Sequence, residues 1–282
     1  MTRVAVVIPC FNDPFVIDAV ASVRGQDELH ELVVVDDGST DRETLSAFER
    51  LAADGVRVVR RENGGLAAAR MTGVEATSAP YVFPLDADDE LQPGALRALA
   101  DALDQAPGAA VAWGDIEVFG ELELSVSTAR TFDPWLLTFV SGIPGTSMVR
   151  RTALLEAGGW SFARQYEDWD LWLTFAERGW GGIHEPVRML RYRRHGQRML
   201  GDATAIHGEL VEEIRARHED LFRDRAVLRR RSRASLRVKL GLSVLGVLPL
   251  SEFTRLRLAH LFMRPRDVLT MRRLRRRAAS AT

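Results

Sequence analysis

The chain has 282 residues, 46% of them hydrophobic, and a formal net charge of −1, which allows one substantial core plus a smaller appendage. Its single cysteine, Cys10, excludes an intrachain disulfide and a cysteine-based metal site. The charge is laid out unevenly: residues 223–282 hold 17 Lys or Arg against three acids, a formal +14, which leaves −15 on the rest.

The opening MTRVAVVIPC is not expected to be a secretory signal, because Pro9, Asn12 and Asp13 cut its apolar run short. VAVVIP, Val4–Pro9, is instead an apolar β-branched run and predicts a first strand. A helix follows over Phe15–Arg24, with Val16, Ala19, Val20 and Val23 on one face. Leu32–Val35 predicts a second strand ending in Asp36 and Asp37, and Asp41–Gly55 a helix stopped by glycine. Val56–Arg60 predicts a third strand, the alanine-rich GLAAARMTGVEATS a helix, and YVFPL, Tyr81–Leu85, a fourth strand.

Beyond it lie a helix at PGALRALADAL, a strand at AAVAWGDIEVFG and an antiparallel excursion at ELELSVSTARTF. A broadly buried helix is expected around Asp170–Glu177, and PVRMLRYRRHG predicts a last strand. Short strands alternating with helices imply an α/β fold with a doubly wound, mostly parallel sheet and helices on both faces. Residues 1–200 form the expected main domain and 201–282 a helical, Arg-rich extension.

Ligands of such sheets bind beyond the carboxyl ends of the strands. Two acidic clusters fall there, Asp36/Asp37 and Asp86/Asp88/Asp89. No GxGxxG follows the first strand and no GxxxxGK[ST] occurs, which lowers dinucleotide-oxidoreductase and P-loop readings. An acidic strand end repels a phosphate unless a divalent cation lies between them, and Mg²⁺ is typically held by one or two carboxylates plus substrate phosphates. Asp86-Ala-Asp88 suits that; a solvated acidic turn is the plainer alternative. Asp37 is a candidate for accepting hydrogen bonds from a base or ribose, whereas Ser39 or Asp41 is a candidate helix cap. Gly64 and Gly65 precede a helix carrying Arg70, which can bridge to Asp86 and meet phosphates or stand as an ordinary surface base. Glu167-Asp168 lies among Trp160, Phe162, Tyr166, Trp169 and Trp172. A carboxyl in such surroundings has its pKa raised and suits a general base, although negative charge is also favoured at any helix start. Arg191, Arg193, Arg194, His195 and Arg198 are candidate cations for a diphosphate leaving group, or a solvated basic strand.

Taken in order, VAVVIPCFND, VVVDDGSTD, NGGLAAAR, YVFPLDADDEL, GTSMVRRTALLEAGGW, YEDWDLWL and YRRHGQRM resemble the family-2 glycosyltransferases of GT-A fold, over roughly residues 3–200. The resemblance implies an inverting transfer from a nucleotide-diphospho-sugar, a UDP-sugar as first expectation, to an acceptor hydroxyl, with Mg²⁺ or Mn²⁺. It implies that Pro9, Phe11, Asn12 and Asp37 surround the nucleoside. Asp86 is then the ribose-side acid, Asp88 the metal ligand, Asp168 the base with Glu167 orienting, and His195 a neighbour of the diphosphate. Gln197 and Arg198 depart from the family's usual small hydroxylated or acidic residues in the closing loop. A sugar nucleotidyltransferase and a noncatalytic nucleotide-sugar or glycan-binding module are the competing readings. The first lacks its Gly-rich basic loop in PCFNDPF, and the second has no need of Asp168.

From Gly201 the pattern is mainly helical. Its longest apolar run, Leu240–Leu250, is too short for a bilayer span, which takes about 20 residues. The basic tail suits an anionic membrane surface, with Leu240–Leu250 inserted shallowly and Arg272, Arg273 and Arg275–Arg277 on headgroups, or plain solvated helix faces. Nucleic acid is not expected, since only Phe253 and Phe262 interleave the basic groups. A cytoplasmic location, peripheral at the inner face of the membrane, is the corresponding expectation.

Overall fold

The computed structural model describes residues 2–162, 164–195 and 206–263; Gln197, Arg198, Arg272, Arg273 and Arg275–Arg277 lie outside them. The described residues form two compact units, divided as residues up to 132 with 143 onward to 195, and residues 133–142 with 206–263.

The first unit starts with β1 (Val4–Cys10), buried along its whole length. After α1 (Val16–Arg24) comes β2 (His30–Asp36), then α2 (Arg42–Ala53), β3 (Arg57–Arg60), α3 (Leu66–Glu75) and β4 (Tyr81–Pro84). Asp41 caps α2 by accepting from the Thr44 N–H at 2.9 Å, so one of the residues weighed as a cap serves as one. α3 crosses β1 closely at Gly73, where a Cβ would lie 2.2 Å from Val7 Cγ1.

The chain continues through β5 (Glu90–Leu91), α4 (Ala95–Gln105), β6 (Ala109–Gly120) and β7 (Leu124–Val126). Next comes α5 (Pro134–Leu137), which belongs to the second unit, and then β8 (Met148–Arg150), α6 (Arg151–Glu156), α7 (Glu167–Glu177) and β9 (Gly181–Arg194). The nine strands make one mixed sheet, ordered β3-β2-β1-β4-β8-β6-β9-β5 with β7 beside β6. The β3-β2-β1-β4 side is parallel throughout, as the strand–helix alternation predicts. Beyond β4 the sheet becomes mixed, and every antiparallel pair involves β5, β7 or β8. Antiparallel neighbours need no crossover helix, so strands of two or three residues can be added this way.

The second unit is helical among its described residues. It consists of α5, α8 (His207–Arg217), α9 (Glu219–Arg223), α10 (Arg225–Arg231), α11 (Leu236–Val247) and α12 (Glu252–Met263). Its core joins Trp135, Phe139 and Val140 to Leu242, Leu245 and Ala259. The Arg225 guanidinium lies 4.6 Å from the Phe139 ring centroid and donates to Thr138 Oγ1 at 2.9 Å. No described helix is long and apolar enough to cross a membrane.

Candidate active site

Because β1 pairs in parallel with both β2 and β4, the loops leaving these three strands emerge side by side. The loop after β2 is held firmly. Asp37 is buried; its Oδ1 accepts from Arg61 and from the Gly64 N–H at 3.1 Å, and its Oδ2 from the Gly65 N–H at 2.8 Å. Gly65 has φ +85°, a conformation that favours glycine. Asp36 accepts from the Ser39 N–H at 2.7 Å and lies 3.4 Å from Arg60 Nε, so it fixes the turn. Asn12, at φ +50°, accepts from the Thr40 and Asp41 N–H groups at 2.8 and 2.9 Å. It thereby ties the β1 loop to the β2 loop. Pro9 is buried within β1, while Phe11 beyond it is 51% exposed and presents an open ring.

At the end of β4, Asp86, Asp88 and Asp89 have separate partners. Asp86 Oδ1 accepts from Arg70 at 2.9 Å. Asp89 is buried and accepts from the Arg193 N–H at 2.9 Å. Asp88 Oδ2 lies 3.1 Å from His195 Nε2. Asp13, on the β1 loop, completes a group with Asp88 and His195 whose ligand atoms all lie within 4.8 Å of one another. Burial pushes both the Asp13 and Asp88 carboxyls up, and the neighbouring Asp86 adds to the effect at Asp88. Two oxygen donors and one imidazole, short of positive charge, fit a divalent cation of the Mg²⁺–Mn²⁺ type.

The basic strand β9 is largely committed within the protein. Arg193 pairs with Asp18 and Glu90, both at 2.8 Å, and stacks 4.2 Å from the Phe15 ring centroid; Arg191 pairs with Glu90. His195 meets the same Phe15 ring edge-on at 5.0 Å. Strand alternation directs Arg194 to the opposite side from Arg193. Among the described residues Arg194 has no ion-pair partner, and its backbone carbonyl accepts from the Glu121 N–H at 2.9 Å.

The third element is the start of α7. Tyr166 takes a left-handed conformation at φ +76°, turning the chain into the helix just before Glu167 and Asp168. Arg70 joins this helix to the β4 end. It is buried, donates to Glu167 Oε1 at 2.6 Å as well as to Asp86, and lies 5.6 Å from the Trp160 ring centroid. Burial works against its charge, but Asp86, Glu167 and Asp168 together more than offset this and hold it protonated. One guanidinium cannot neutralise three carboxyls, so the acids of α7 remain short of positive charge. Burial pushes Glu167 up, and burial together with the Glu167 charge pushes Asp168 up to about 7. Asp168 keeps some accessible surface but is densely surrounded by protein. Gly145 faces it: a Cβ there would stand 3.3 Å from Asp168 Oδ2, so a side chain at this position would crowd the carboxylate.

The structure thus gathers Asp88 with His195, and Asp86 and Arg70 with Glu167 and Asp168. Sequence reasoning did not single out Asp13 as a ligand, Arg61 as the partner of Asp37, or Gly145 beside Asp168.

Fold and site together define a protein of GT-A type. The chain belongs to glycosyl transferase family 2, whose profile matches residues 5–165, more than half of its length. It is similar to the succinoglycan biosynthesis protein ExoU of Rhizobium meliloti, 39% identical over 148 residues that cover 47% of this chain and 40% of ExoU. It is also similar to the poly(ribitol-phosphate) beta-N-acetylglucosaminyltransferase TarP of Staphylococcus aureus, 31% identical over 105 residues that cover 35% of this chain and 32% of TarP. The chain therefore spans less than half the length of these two relatives. Among solved structures, S. aureus TarS 1–349 in complex with UDP-GlcNAc superposes with a TM-score of 0.61 at 14% identity, covering 93% of this chain and 92% of that one. That likeness is one of fold.

Proposed function

We propose that the protein is an inverting glycosyltransferase that moves a sugar from a UDP-sugar to an acceptor hydroxyl on a glycan, a lipid-linked saccharide or a small molecule. The observation that carries this reading is the buried Arg70 bridge, which ties the acid at the β4 end to the helix bearing a carboxyl poised near neutrality. A uridine donor is supported by the TarS structures solved with UDP-GlcNAc and with UDP. A hydroxyl on a growing surface polymer is supported by the names of TarP, which acts on poly(ribitol-phosphate), and ExoU, a succinoglycan biosynthesis protein.

Asp88, Asp13 and His195 would hold Mg²⁺ or Mn²⁺, which supplies positive charge to the donor's diphosphate when bound. Asp168 takes the proton of the acceptor hydroxyl, a role suited to a carboxyl with pKa near the working pH. The hydroxyl oxygen bonds to the anomeric carbon as the bond to the diphosphate oxygen breaks, and that electron pair leaves with the nucleotide. A single displacement inverts the centre and needs no carboxylate nucleophile. Arg70 and Glu167 fix the start of α7 so that Asp168 stays in position.

The test is nucleotide release from a panel of UDP-, dTDP- and GDP-sugars with Mn²⁺ or Mg²⁺. Turnover with a UDP-sugar is expected, and Asp168→Asn abolishes it while donor binding persists. Absence of donor binding and turnover across the panel overturns the reading; full activity in Asp168→Asn overturns the base assignment.

A further inference from the structure

Helix α11 is apolar on two opposite sides. Val238, Leu242 and Leu245 face the core of the second unit. At the helical period, Leu236, Leu240, Val244 and Val247 fall together on the other side. All four are open, at 70%, 54%, 54% and 82% exposure, and Leu248 and Phe253, which follow in the chain, are exposed as well. An ordinary surface helix carries polar residues there, and contiguous exposed apolar surface marks an interaction site.

The charge around the stripe identifies its partner. Residues 225–263 contain nine Lys or Arg and one acid, Glu252. Glu252 is engaged by Arg215 at 2.9 Å and Arg255 at 3.3 Å. Arg230, Arg231, Arg233, Arg237 and Arg257 are exposed, and Arg237 lies on α11 at the edge of the stripe. An apolar stripe bordered by arginines matches an anionic bilayer surface, whose acyl boundary takes the leucines and valines while its headgroups take the guanidinium groups.

We infer that the outward face of α11 docks the protein peripherally on an anionic lipid membrane, lying in the headgroup region without crossing it. This inference does not depend on the catalytic assignment. Docking would bring the transferase to acceptors carried on lipid.

Flotation of the full-length protein with neutral phosphatidylcholine vesicles, and with vesicles containing phosphatidylglycerol, tests it. Recovery with the anionic vesicles only is expected, falling as salt rises. Leu240→Gln/Val244→Gln/Val247→Gln should abolish recovery. Arg233→Gln/Arg237→Gln should weaken binding by about tenfold or more, each surface arginine contributing about fivefold. Both variants change exposed positions, and unchanged circular dichroism confirms that they fold. Failure of the parent protein to float, or equal flotation of the triple variant, overturns the proposal. So does a dimer in light scattering that the triple variant dissociates without any vesicle binding, since a second copy of the chain would then be the partner.

Discussion

Replacing Arg70 by methionine removes the cation that Asp86 and Glu167 share and keeps most of the buried volume. Its two bonds, 2.6 Å to Glu167 and 2.9 Å to Asp86, differ in setting. Glu167 is buried, whereas the Asp86 side chain is 34% exposed. A hydrogen bond to a charged group contributes about 1.5–3 kcal/mol, and the Asp86 arm is discounted to about 1 kcal/mol for solvent screening. The expected loss is therefore about 2.5–4 kcal/mol, overlapping the range for breaking a buried ion pair by removing one partner. The sign with pH follows from Glu167. Without Arg70 its folded-state pKa rises further above the unfolded value, so the Glu167 part of the cost is absent at acid pH, where the carboxyl is protonated, and grows as pH rises toward neutrality. Urea unfolding of the parent, Arg70→Met, Glu167→Gln and the double variant measures this as a cycle. The double variant should cost about 2 kcal/mol less than the sum of the two singles. An Arg70→Met cost under about 1 kcal/mol at neutral pH, or strict additivity, would refute the bridge as an energetic link.

Glu167→Gln removes the charge that helps push Asp168 up to about 7, so the acid limb of its kcat/KM–pH profile should move to lower pH; an unmoved limb argues that burial alone sets the value. Asp13→Asn should weaken Mn²⁺-dependent UDP binding in calorimetry by about tenfold or more, since a direct ligand matters at least as much as the outer-shell groups whose loss costs that much. Metal-dependent binding equal to the parent's removes Asp13 from the cation site. Gly73→Ala gains about 0.5–1 kcal/mol of helix propensity but drives a Cβ to within 2.2 Å of Val7. Overpacking costs about 1–3 kcal/mol, so the thermal midpoint should fall; a rise would mean that α3 and β1 separate without cost.

The parallel half of the sheet was legible because β1, β2 and β3 carry β-branched runs and β4 an apolar run, while α1 shows one apolar face and α3 an alanine-rich stretch. β5, β7 and β8 have two or three residues each, too few to display alternation, and they are where the sheet turns antiparallel. Asp86, Asp88 and Asp168 could be read because each lies at the end or start of an element. The candidate metal group could not be read whole, since its members meet through pairings remote in sequence. Asp13 reaches Asp88 through the β1–β4 pair, and His195 reaches it because β9 lies antiparallel to β5. Arg61 and Gly145 act through contacts that no local pattern encodes.

The assignment of residues 133–142 to the helical unit has a consequence for the integrity of the chain. Trp135, Phe139 and Val140 lie within the first two hundred residues, yet the side chains covering them, Leu242, Leu245 and Ala259, come from its far end. A protein shortened to the catalytic sequence would keep its sheet but leave these three apolar groups uncovered. The C-terminal helices are thus not a detachable accessory. They complete a core begun by an excursion of the polypeptide between β7 and β8, and their removal should produce a sticky, poorly soluble remnant.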